Sequence, residues 1–197
     1  LHQFISGPGV LLTTLEPLGA RLITLDEQQY APGRQKDNVR LYRTYFCREC
    51  GQEYMPVWTD DDLTVFNPRL IDDVPSQKDD EASRFGYLVP VSAEQNYQND
   101  SDIPEFWMDF DKKGDQIVKA GMKKFIPRLV EVNAKGEAQA GAVKYWFIPG
   151  KVKFCPNCGL EHESRSKDAN KLVGLSGEGR SSSTTIITLN LLEQMFD

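Results

Sequence analysis

Two histidines, four cysteines and no long apolar run are the scarcities of this 197-residue chain. The histidines, His2 and His162, stand beside no nucleophile motif, which leaves histidine-based acid–base or triad chemistry without a constellation. No stretch approaches the ~18 consecutive apolar residues of a membrane-spanning helix, so no membrane partner is expected. The opening residues LHQFISGPGVLL lack both the basic start and the apolar centre of a secretory signal. An initiator methionine is missing too, and a chain that opens on Leu1 reads as a segment of something longer or processed. Disorder is excluded from the other direction, because 40% hydrophobic and 10% aromatic residues suffice for a core.

Positive charge is also short, with a formal net charge of −6. Its distribution is uneven: residues 60–115 carry 15 acidic and 5 basic side chains, whereas 116–197 carry 12 basic and 8 acidic ones. Bulk charge therefore speaks against a duplex-binding domain, while the C-terminal half retains a local basic excess for phosphate. Asp60-Asp61-Asp62 and Asp79-Asp80-Glu81 mark a solvated acidic loop whose spacing fits no EF-hand.

What is present is an arrangement of cysteines. All four fall in two pairs, Cys47-Arg48-Glu49-Cys50 and Cys155-Pro156-Asn157-Cys158, each preceded by Phe and followed by Gly. Two intervening residues let both thiolates of a pair reach one tetrahedral ion at ~2.3 Å. A glycine after the second cysteine permits φ > 0, which turns backbone amides toward the sulfurs. A redox CxxC would need a helix N-terminus, and small disulfide scaffolds are richer in cysteine. The pattern predicts one structural Zn²⁺ held by Cys47, Cys50, Cys155 and Cys158. His162, four residues past Cys158, could replace a sulfur but reads as a surface residue. A closed tetrathiolate keeps no open position for water, so catalysis by the metal is not implied. The 104 residues between Cys50 and Cys155 far exceed the ~15–20 of a compact ribbon. The ribbon is read as split by a large excursion.

Along the chain, Val10–Leu15 and Ala20–Leu25 flank a Pro-Leu-Gly turn and predict a hairpin. Val39–Phe46 and Lys151–Phe154 are read as the strands entering the two knuckles, and Tyr87–Val91 as a short strand. Ile103-Pro104 opens a short helix carrying Trp107, which with Trp146 is read as a core anchor. Arg128–Val132 and Ala142–Ile148 around Ala134–Glu137 form the best-marked hairpin. Residues 1–6 suggest the end of a helix, and 181–196 a terminal amphipathic one. The fold class expected is α+β, mainly antiparallel β, with a split four-cysteine zinc ribbon and a C-terminal helix. Residues 1–197 form one zinc-stabilised domain in this reading. Residues 38–58 and 150–163 are the ribbon halves, 59–149 the insertion (acidic loop plus hairpin), and 164–197 a strap and helix.

Gly174–Ser181 imitates a phosphate loop but has Arg180 where the loop needs lysine. The preceding Lys171-Leu172-Val173 is a poor buried strand, and 16 residues after Ser181 leave no room for an acidic Mg²⁺ partner. No ATP site is expected within this segment.

His2-Gln3-Phe4-Ile5, Thr14-Leu15-Glu16, the two Phe-Cys-x-x-Cys-Gly motifs and Gly179–Thr185, in that order, resemble one region of large bacterial superfamily 2 DEAD/DEAH-box helicases. Some of these act in phage defence. In them a cysteine-bearing segment lies between two RecA-like motor domains. The resemblance implies a cytoplasmic parent chain that uses ATP to translocate on or unwind DNA, with those motor domains and DNA as partners. Since this segment has neither Walker A nor a DEAD/DEAH box, it would be a non-catalytic accessory domain that positions nucleic acid or couples the motors. Lys123, Lys124, Arg165, Lys167, Lys171 and Arg180, with Lys119 and Arg128, are candidate phosphate contacts, against the plainer reading of ordinary surface charge. The competing function is a zinc-ribbon interaction module whose acidic insertion docks a partner protein.

Overall fold

The computed structural model describes residues 10–73, 85–162 and 166–174. Most of the architecture is one antiparallel sheet. Its strands are β4 (Tyr45–Cys47), β5 (Glu53–Thr59), β6 (Phe66–Pro68), β7 (Phe85–Pro90), β10 (Arg128–Val132), β11 (Val143–Pro149) and β12 (Leu172–Val173). They run in the order β10-β11-β7-β5-β4-β12, with β6 also paired to β5. A three-stranded sheet, β2-β1-β3, is built from β1 (Leu12–Thr13), β2 (Ile23–Thr24) and β3 (Tyr42–Arg43). A hairpin of β8 (Met108–Phe110) and β9 (Gln116–Val118) stands apart. The α-helical content among the described residues is one turn, α1 (Asp168–Lys171).

The central strands are apolar on both faces, and strand periodicity sorts their side chains into two cores. Tyr54, Tyr87, Val89, Trp146 and Ile148 face the core that also contains Cys47 and Cys155. Met55, Val57, Leu88, Tyr145 and Phe147 face the opposite core, shared with Leu15, Tyr42 and Phe66. Register locks this sorting: Trp146 lies across from Val89 and Phe147 from Leu88, which in turn faces Met55. A slip of one residue would carry every side chain to the wrong face. At Gly86 the sheet leaves no room for a side chain, since a Cβ there would come within 2.2 Å of the Ile148 carbonyl.

The best-marked hairpin forms, with Arg128–Val132 against Val143–Pro149, and its connection 133–142 opens with a turn in which Gly136 N–H donates to Asn133 O. The early hairpin shrinks to the pairs Leu12–Thr24 and Thr13–Ile23. Ile103-Pro104 opens a single 3-10 turn, Glu105–Trp107, and both Trp107 and Trp146 are buried. Two expectations need correction. The strand into the first knuckle breaks at the buried Thr44: Tyr42–Arg43 pairs with β1, and Tyr45–Cys47 with β5. Lys151–Phe154 is not a strand but a single bridge, Phe154 to Glu161. Val152 N–H and C=O are occupied by the Asp168 carboxylate and the Lys171 ammonium, so they are withdrawn from any ladder. The expected helices at 1–6 and 181–196 lie outside the described residues, as does all of the loop-like run except Gly174.

Candidate metal centre

Each cysteine pair sits in a turn built the same way. Cys47 N–H donates to Gln52 O and Gly51 N–H to Cys47 O; Cys155 N–H donates to Leu160 O and Gly159 N–H to Cys155 O. Gly51 and Gly159 take φ values of 74° and 73°, the left-handed conformation that a Cβ would strain. Phe46 pairs with Glu53, and Phe154 with Glu161. The knuckles are thus structural repeats, with Tyr54 and His162 at matching places. In each, the first cysteine is buried and the second half-exposed.

All four sulfurs lie within 4.8 Å of one another, and the thiols are free rather than disulfide-bonded. Cys50 Sγ and Cys155 Sγ, from different knuckles, are 3.6 Å apart. Four ligands at ~2.3 Å around a tetrahedral ion would have edges of about 3.8 Å, so the group can close on a single metal ion. His162 is not part of this sulfur group; it is half-buried, its Nε2 is buried without a partner among the described residues, and its pKa is lowered by burial and then by the Lys171 charge.

The clustered thiols are coupled to one another through hydrogen bonds. A hydrogen bond from Cys155 drives Cys47 down to about 4, while Cys155, donor in that bond and buried, holds its proton far more tightly than usual. Burial raises Cys158 as well. The buried Tyr54 hydroxyl is held protonated by burial and by the neighbouring Cys155 sulfur.

Around the cysteines the packing is aromatic. Phe154 meets Trp107 edge-on at 5.2 Å and Tyr97 at 5.7 Å, and Tyr97 meets Trp146 at 5.0 Å. Tyr97 and Asn96 N–H groups donate to Pro156 O and Asn157 O, clamping the second knuckle. The first knuckle is covered differently: Leu172 pairs with Cys47 and Val173 with Phe46, so β12 extends the sheet over the metal edge.

That strand is anchored by a buried network the sequence reading missed. Lys171 Nζ donates to Asp168 Oδ1 at 2.9 Å and to Val152 O at 2.7 Å, with both side chains 3% exposed. Tyr87 hydroxyl donates to Asp168 Oδ2 at 2.8 Å, and Tyr87 in turn packs edge-on against Tyr54. The i, i+3 spacing of an Asp and a Lys was legible; that both would be buried was not, because Lys and Asp are seldom buried unless paired.

The candidate phosphate contacts separate on inspection. Lys123 and Lys124 are exposed on the 3-10 turn Lys123–Phe125, and Lys167 is exposed ahead of α1. Lys171 is corrected: its ammonium is spent inside the protein and reaches no external phosphate. Lys119 Nζ donates to Phe106 O. Arg165 and Arg180 lie outside the described residues. Lys153, which the sequence reading passed over, joins this face. Lys153 and Lys124 ammoniums lie 4.7 Å and 5.3 Å from the Phe125 ring centre. The Lys153 pKa is lowered by burial and by the Lys171, Lys151 and Lys124 charges.

Comparison with known proteins yields no relative. No family model matches the chain, and no curated protein or solved structure matches it either. What stands is a mainly antiparallel β fold with a four-cysteine group able to hold a metal ion. No helix among the described residues is long and apolar enough to cross a membrane.

Proposed function

We propose that this chain is a non-catalytic, zinc-stapled accessory domain of an ATP-dependent DNA helicase, where it positions nucleic acid or couples two RecA-like motor domains. The observation that carries the structural part is the convergence of four sulfurs from two like-built knuckles. Four thiolates in tetrahedral reach are the donor set of structural zinc, and their closed shell leaves no coordination site for a substrate. The helicase setting is supported by the order of sequence motifs that bracket the cysteines. A role with nucleic acid is supported by the lysines gathered about Phe125, in a chain whose overall charge is negative.

Binding of a labelled single-stranded oligonucleotide, followed by anisotropy across a salt series, tests this reading. The affinity should fall with salt at a slope of roughly −0.7 per phosphate neutralised. Lys124→Ala with Lys153→Ala should flatten that slope. Absence of binding at low salt contradicts the nucleic-acid role. A second reading, docking of a partner protein, draws on the exposed Asp60-Asp61-Asp62 run. Salt-sensitive capture of a basic protein by the chain, lost on neutralising those aspartates, would favour it.

A further inference from the structure

Away from the cysteines, a surface cleft of about 500 Å³ opens between β6 and the segment 28–43. Three arginines line it, Arg40, Arg43 and Arg69, with Gln28 and Asn67 beside them. The single carboxylate on its wall, Asp73, accepts a hydrogen bond from Trp58 Nε1.

The arginines are held in place by neutral groups. Arg69 is buried, donates through Nη1 to the carbonyls of Leu70, Ile71 and Asp73, and through Nη2 to Gly86 O. Its guanidinium lies 5.0–5.9 Å from the ring centres of Tyr87, Phe85 and Trp58. Arg40 donates to the Asn67 side-chain oxygen. Neither Arg40 nor Arg69 pairs with a carboxylate among the described residues, and each has a buried Nε–H with no partner. Arg43 is tied only to the exposed Glu27, at 3.1 Å.

Buried charge is costly unless paired, and guanidinium forks match oxyanions two bonds at a time. Arg69, oriented by carbonyls and rings, and Arg40, held by the Asn67 amide, meet no carboxylate partner among the described residues, so the cleft offers positive charge to an anion. We propose that this cleft is a phosphate-binding site, in which Arg40 and Arg43 contact the phosphate oxygens and Arg69 supplies charge from the wall. The ligand class is a phosphate group, delivered either by a nucleic-acid backbone or by a free phosphate or nucleotide. None of the residues lining the cleft is a cysteine of the metal centre or a lysine near Phe125.

Titration of the metal-loaded chain with inorganic phosphate at constant ionic strength, followed by calorimetry and by Trp58 fluorescence, tests the site. Saturable binding is expected, about ten-fold weaker in Arg43→Ala and in Arg40→Lys, which keeps the charge but loses the fork. Lys135→Ala, a charge removed from the exposed turn at 133–137, should leave it unchanged, and melting temperatures show that each variant is folded. Parallel loss of oligonucleotide binding in the arginine variants assigns the phosphate to a nucleic-acid backbone. Retained oligonucleotide binding with lost phosphate binding assigns it to a free phosphate or nucleotide. No saturable phosphate binding, or binding equal in the folded arginine variants and Lys135→Ala, overturns the proposal.

Discussion

Lys171 and Asp168 show how much hangs on single residues here. Their ion pair is almost solvent-free and is shared with Tyr87 and the Val152 backbone. Removing one partner strands a buried charge, which typically costs about 3–5 kcal/mol. Lys171→Met should therefore lower stability by about that amount in a urea titration, whereas Lys167→Met, one turn away and exposed, should change it by less than about 0.5 kcal/mol. His162 makes a pH prediction. Burial, and then the Lys171 charge, hold its pKa below the usual 6.5, so the folded chain prefers the neutral ring. On acidification the unfolded chain takes up this proton first; the contribution of His162 to stability is present above 6.5 and fades as pH falls below it. An NMR titration of the His162 ring should give a midpoint under 6.5, and a midpoint above it would contradict the burial described.

Among the elements, β7 and β11 carry the register that separates the two cores. Gly86→Ala would drive a Cβ into the Ile148 carbonyl and the Phe147 ring. Overpacking of this kind usually costs about 1–3 kcal/mol, and with a backbone atom as the obstacle the upper end is expected, read as a lowered urea midpoint. Legibility at this scale follows physical signal. Arg128–Val132 and Val143–Pro149 were legible because runs rich in β-branched and aromatic residues flank a Gly-containing connection. β12 was not, since two residues carry no period, and its strand state depends on the edge that Tyr45–Cys47 offers. Likewise Lys151–Phe154 has a strand-like composition, but side chains arriving from α1 take the backbone groups of Val152. The cysteine group was the most legible feature, because residue type, spacing and following glycine all express one local geometry. The arginine cleft was illegible, as Arg40, Arg43 and Arg69 share no pattern in the sequence.

In the molecule as a whole, two knuckles separated by 104 residues of sequence are brought to one point. The sheet alone already closes part of that distance, through β4 on β5 and β12 on β4. A metal would add a covalent-strength tie across the same edge, and its binding free energy would appear as folding free energy. Chelation should therefore lower the melting temperature while the opposite core, with Met55, Leu88 and Phe147, retains strand signal in circular dichroism. Cys50→Ser, at a half-exposed ligand, should reproduce the effect of chelation and not add to it.

The most direct measurement is metal content by native mass spectrometry on the purified chain, with a thiol count before and after chelation. One zinc ion per chain is expected, with four thiols protected until the metal is removed. A metal-free chain whose cysteines are reactive from the start, or are joined as disulfides, would contradict it.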